Sequence, residues 1–153
     1  MTTAARTNFV SRYLYLFTVL FLVLSGFGQM PIFKRYYIAD IPGFGWLAKF
    51  YITHYIHYLG AILLLALCAY YITDYFMFNS KNRKLTFSGY FKTAVIAGLV
   101  ISGLLLVIKN FANYHLPNSL IIFLDLCHLS LVMLLLGYGL FSLISKKCWT
   151  APR

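Results

Sequence analysis

Four long apolar stretches constrain this chain more than any other feature of its sequence. They cover residues 13–29, 48–78, 93–111 and 120–144, and each is long enough to cross a bilayer as an α-helix. Only 10% of the 153 residues are charged, whereas soluble domains average roughly 25%. A segment in lipid must satisfy its own backbone hydrogen bonds, which a helix does. The chain is therefore predicted to be all-α, an integral membrane four-helix bundle forming one transmembrane domain over 1–153.

The distribution of basic residues predicts that both termini lie inside. With four spans, one side of the membrane receives Arg6, Arg12, Lys81, Arg83, Lys84, Lys92, Lys146, Lys147 and Arg153, and the other receives Lys34, Arg35, Lys49 and Lys109. Because short cytoplasmic loops are enriched in Lys and Arg, the larger set marks the inner side. The net charge of +10 is thus explained by topology, and no nucleic-acid partner is expected.

Two histidines in separate spans predict a cofactor site. His57 lies roughly ten residues into the second stretch and His128 about as far into the fourth, and both stretches begin on the outer side. At about 1.5 Å per residue, each lies roughly 15 Å from its outer end, so the two share a level. Helix bundles build cofactor sites from facing side chains, and two neutral imidazoles suit a heme iron. We therefore expect one heme b with His57 and His128 as axial ligands; the alternative is that they are polar contacts between helices.

Three further polar residues have open assignments. His54, one turn from His57, is an alternative ligand, a contact to a heme propionate or a quinone, or an interfacial residue; Gly60 favours His57, because it leaves space for a flat ring. Asp125, one turn from His128, orients the imidazole or a quinone, relays a proton, or is an interfacial carboxylate favoured by the helix dipole. His115 lies in an outer turn, where it faces solvent or pairs with a propionate.

The cysteines do not indicate a covalently attached heme. The chain has three, Cys68, Cys127 and Cys148, and none belongs to a Cys-x-x-Cys pair. Such pairs mark zinc sites, thioredoxin-like motifs and c-type heme attachment. Cys68 and Cys127 are expected to be small apolar fillers within spans.

The chain resembles the membrane cytochrome b subunit of respiratory formate dehydrogenases and of related hydrogenase and thiosulfate reductase anchors. The resemblance covers nearly the whole chain. It is carried by Arg12-Tyr13-Leu14-Tyr15 leading to Leu24-Ser25-Gly26, by His57-Tyr58-Leu59-Gly60, and by His128 in the fourth span. The family often holds a second, inner heme, but its span-one ligand position is occupied here by Tyr13 or Tyr15, and no histidine follows His128. This chain is therefore expected to hold the outer heme alone.

The resemblance implies an electron-transfer function in the bacterial inner membrane. A periplasmic iron–sulfur subunit and a catalytic oxidoreductase subunit would dock on the outer side, at 31–46 and 113–119. The one heme would lie toward the periplasmic side of the membrane. Electrons would pass through it to or from membrane quinone. The alternative is a heme-free structural or assembly subunit. A transporter is disfavoured because the spans contain few polar groups.

Overall fold

The computed structural model describes residues 3–30, 37, 40–79, 81–111, 116–146 and 148–152. In order along the chain, the elements are α1 (Thr3–Gly28), a 3₁₀ turn (Gly45–Ala48), α2 (Phe50–Asp74) with a π-helical turn after it (Tyr75–Asn79), β1 (Arg83–Leu85), α3 (Phe87–Ile108), α4 (Asn118–Ile144) and β2 (Thr150–Pro152). The chain divides into two compact units, Met1–Asp74 and Tyr75–Arg153.

The predicted all-α fold class is confirmed. Among the described residues, four helices are long and apolar enough to cross a membrane: Val10–Gly28, Phe50–Phe78, Phe87–Ile108 and Asn118–Ile144. These helices carry large apolar side chains that are exposed, among them Phe17, Ile62, Ile101 and Leu134. In water such surfaces would be costly, but they are the surfaces that lipid requires. The chain is thus a multi-pass membrane protein.

The first unit is a helix hairpin of α1 against α2. Small polar side chains lie at the helix contact, since Thr18, Ser25 and Thr53 are each 1% exposed or less. Small residues of this kind allow two helices to approach closely in a membrane. The 3₁₀ turn packs beside the end of α1, with Leu47 1% exposed.

The second unit is a helix hairpin of α3 against α4, closed at one end by a short antiparallel ladder. Its apolar core includes Val95, Ile96, Leu99 and Leu124. Strand β2 pairs with β1 in the register Arg83↔Pro152, Lys84↔Ala151 and Leu85↔Thr150. The segment after α4 is thereby held at the beginning of α3.

Helix α3 begins six residues before the predicted start of the third span. Its N-cap is Thr86, whose hydroxyl accepts a hydrogen bond from the Gly89 backbone amide. Lys92, assigned from its charge to the inner margin, is therefore inside the helix and only 8% exposed. Its ammonium donates to the Ser142 hydroxyl at 2.6 Å and lies 5.2 Å from the Trp149 ring centroid. Those two contacts compensate for the partial loss of hydration of the charge.

Candidate functional site

In the first unit, His57 on α2 is held by Ser25 on α1. His57 Nδ1 lies 3.1 Å from Ser25 Oγ, although the residues are 32 positions apart in sequence. The serine hydroxyl also donates to the Phe21 carbonyl one turn earlier, at 2.7 Å. A serine inside a helix commonly bonds back to this carbonyl. Because Ser25 is fully buried, its hydroxyl is held in one place and so orients the imidazole.

The residue after Ser25 makes room for the same imidazole. A Cβ built on Gly26 would lie 3.3 Å from His57 Cε1 and 3.6 Å from Nδ1. The first distance is shorter than carbon atoms normally accept in contact. The glycine thus allows the ring to lie against the backbone of α1, within reach of the serine hydroxyl.

The second unit repeats this arrangement around His128. His128 Nδ1 on α4 lies 2.8 Å from Ser102 Oγ on α3, and the Ser102 hydroxyl donates to the Leu99 carbonyl at 3.2 Å. Ser102 is 6% exposed. A Cβ on Gly103, the next residue, would lie 3.5 Å from His128 Cε1. Each unit therefore places a serine and a glycine of its first helix against a histidine of its second.

This repetition was missed by the sequence analysis, which identified neither serine as a partner of a histidine. The signal is present but short: Val23-Leu24-Ser25-Gly26 in α1 matches Val100-Ile101-Ser102-Gly103 in α3. The distance from serine to histidine is 32 residues in the first unit and 26 in the second. Because the connections differ in length, a search at one fixed period fails to align the two units.

His54 is engaged by a different residue of α1. Its Nδ1 lies 3.1 Å from Gln29 Oε1, and the Gln29 side-chain amide donates to the Ser25 carbonyl at 3.4 Å. The His54 ring stacks on Phe50 at 5.3 Å between centroids and lies 4.3 Å from the Tyr58 ring. The imidazole of His54 is thus held by one hydrogen bond to α1 and by ring contacts with two neighbours on α2.

Asp125 lies beside a lysine. Its carboxylate forms an ion pair with Lys109 at 3.5 Å, and the two side chains are 54% and 26% exposed. The pair joins the end of α3 to the first turns of α4.

Several of the sequence predictions fall on residues that the structure does not describe. His115 lies outside the described residues, as do 31–36, 38–39 and 113–115 of the predicted docking segments. Among the described residues, no group of three or more His, Cys, Asp or Glu side chains could hold a metal ion. All three cysteines are free thiols.

Comparison with protein families, with curated proteins and with solved structures finds no match to this chain.

Proposed function

We propose that this chain is a b-type cytochrome that anchors a quinone-linked oxidoreductase in the bacterial inner membrane. His57 and His128 are the proposed axial ligands of one heme b. The observation that carries the proposal is that each histidine, on an apolar helix, is oriented through Nδ1 by a buried serine of its own unit. Metal-ligating histidines commonly use one ring nitrogen for such an orienting bond and the other for the metal.

The residues present fit a heme in their chemistry. Two imidazoles on apolar helices are a donor set that heme iron accepts, and neither ligand adds a negative charge at membrane depth. When bound, heme supplies one-electron oxidation and reduction. The chain supplies the imidazoles, holds their rings through Ser25 and Ser102, and excludes water with apolar helices.

The proposed partners complete a path for electrons. A periplasmic iron–sulfur subunit, bound to a catalytic oxidoreductase subunit, exchanges electrons with the heme, and membrane quinone is the other reactant. With both termini inside, as the basic residues predict, His57 and His128 lie toward the periplasmic side. His54 and Asp125 are not ligands in this proposal, since Gln29 and Lys109 account for their contacts.

The first test is a heme count on the purified full-length chain, with a pyridine hemochrome assay and a reduced-minus-oxidised spectrum. We expect one heme b per chain. His57→Ala and His128→Ala should each retain less than a tenth of it, because an iron that loses one axial ligand is weakly held. His54→Ala is the matched control, one helical turn away, and should keep its heme. Heme-free wild-type protein, or full heme in both ligand variants, would overturn the proposal.

The competing function is a heme-free structural or assembly subunit. The same Ser25–His57 and Ser102–His128 contacts favour it, because each joins two helices of one unit as an interhelical hydrogen bond does. Such bonds contribute about 0.6–2 kcal/mol each in membranes. In that case the purified wild-type chain contains no heme, and the only effect of His57→Ala is a change in the stability of the first unit.

A further inference from the structure

The two serines share a feature beyond their contact with histidine: each hydroxyl also contacts a backbone carbonyl. Ser25 Oγ lies 2.7 Å from the Phe21 carbonyl oxygen and 3.2 Å from that of Leu22. Ser102 Oγ lies 3.2 Å from the Leu99 carbonyl oxygen. A carbonyl oxygen can only accept a hydrogen bond, and a hydroxyl has a single proton to donate. Both contacts of each serine are hydrogen bonds only when the serine proton is directed to its own helix, because an imidazole nitrogen can carry a proton to donate and a carbonyl oxygen cannot.

The direction of the serine–histidine bond follows from this assignment. With its proton on the carbonyl, the serine oxygen can only accept from the imidazole. In that arrangement His57 Nδ1–H donates to Ser25 Oγ across 3.1 Å, and His128 Nδ1–H donates to Ser102 Oγ across 2.8 Å. A neutral imidazole protonated on Nδ1 carries its lone pair on Nε2.

The geometry points to Ser25 and Ser102 as positioning residues that hold both histidines in the Nδ1–H tautomer, which presents Nε2 as the metal-donor atom. The assignment of Nε2 to heme iron rests on the proposed function, whereas the tautomer does not. Gly26 and Gly103 complete the arrangement, because each leaves space for the Cε1 edge of the ring beside the serine. The same contacts among a serine, a glycine and a histidine occur in both units, although the connections between their helices differ in length. The second unit is therefore an independent instance of the arrangement seen in the first.

The tautomers can be measured without any cofactor. In heme-free protein labelled with ¹⁵N-histidine, we expect the wild type to show His57 and His128 as Nδ1–H. Ser25→Ala should convert His57 to a mixture of tautomers, and Ser25→Thr should restore the wild-type signal because threonine keeps the hydroxyl. An Nε2–H signal for His57 or His128 in the wild type would overturn the inference, even if every variant were to fold poorly.

Heme binding gives the second readout. Removing an orienting partner of a metal ligand typically lowers metal affinity about 10- to 100-fold. We expect that loss of heme affinity for Ser25→Ala and for Ser102→Ala, with recovery in the corresponding threonine variants.

Thr18→Ala is the matched control on α1. Its buried hydroxyl bonds the Leu14 carbonyl at 2.8 Å, and it lies two turns from Ser25. Its heme affinity should match that of the wild type. If Ser25→Ala behaves as Thr18→Ala does, the positioning role is wrong while the heme assignment stands. A wild type that shows both Nδ1–H signals and binds no heme overturns the proposed function and leaves the tautomer assignment intact.

Discussion

Gly26 lies directly against His57, so that a Cβ at this position would be 3.3 Å from Cε1 of the imidazole. The equivalent distance from Gly103 to His128 is 3.5 Å, which is an ordinary van der Waals contact. The two units thus share the same glycine–histidine contact, but the first has less space for a side chain at the glycine than the second. In the first, a side chain at the glycine requires the ring to shift by a few tenths of an ångström from α1, the helix that also carries Ser25.

Gly26→Ala should consequently lower heme affinity more than Gly103→Ala does. The displaced imidazole loses part of its orienting bond, and about 10-fold weaker binding is expected by analogy with loss of an orienting partner. The measurement is heme titration of each purified variant. Gly139→Ala, where a Cβ meets nothing within 4 Å, is the control for the higher helix propensity of alanine. Equal affinities for the Gly26 and Gly139 variants would contradict the prediction.

Asp125→Asn is expected to leave heme binding unchanged. The carboxylate pairs with Lys109 at 3.5 Å and is more than half exposed, so the pair contributes at most about 1 kcal/mol to stability. A double-mutant cycle with Lys109→Met, measured by unfolding in detergent, gives the coupling energy. A large loss of heme in the asparagine variant would show that Asp125 acts on His128, one turn away.

Ser142→Ala should destabilise the second unit, because it removes the acceptor of the Lys92 ammonium. A hydrogen bond to a charged group contributes about 1.5–3 kcal/mol, and Lys92 as a residue is only 8% exposed. The measurement is the free energy of unfolding.

Ser88→Ala supplies the contrast in the same unit. Within the part of the chain that the structure describes, the buried Ser88 hydroxyl has no hydrogen-bond partner. Its removal should be neutral or slightly stabilising, since an unsatisfied polar group is costly to bury. Similar losses in the Ser142 and Ser88 variants would refute the role of the Lys92–Ser142 bond.

Gly89→Ala should disrupt the junction between α3 and the segment after α4. A Cβ at Gly89 would overlap the backbone carbonyl of Trp149, which accepts a hydrogen bond from the Thr86 backbone amide at 3.0 Å. Backbone cannot rotate away as a flexible side chain can, so the β1–β2 ladder must shift. We expect faster proteolysis of residues 148–152 and a loss of about 1–3 kcal/mol of stability, as overpacking typically costs.

A second glycine of the same unit provides the control for Gly89→Ala. Gly137→Ala in α4 places its Cβ in open space and should show wild-type proteolysis. If the Gly89 and Gly137 variants are cleaved at the same rate, the segment after α4 is not held by this contact.

The fold class and the helices could be predicted from sequence because lipid leaves a chain little choice. A backbone in hydrocarbon must bond to itself, so apolar length alone identifies the helices. Two of their starts differ clearly from the predicted ones: α1 begins at Thr3, ten residues before the predicted 13, and α3 begins at Phe87, six residues before the predicted 93. Lys92 indicates an inner margin by its charge, but Ser142 and Trp149 allow the helix to begin earlier, at the Thr86 cap.

The sequence by itself determined that this is an all-α membrane protein and that His57 and His128 are the residues to explain. Only the tertiary structure decided what holds them. Ser25 and Ser102 are unremarkable in sequence, since a serine in an apolar helix can satisfy itself on its own backbone. Which helix face meets a histidine depends on how the two helices of each unit pack together. The serine and histidine that this packing brings together are separated by 32 residues in the first unit and by 26 in the second, which no local sequence pattern records.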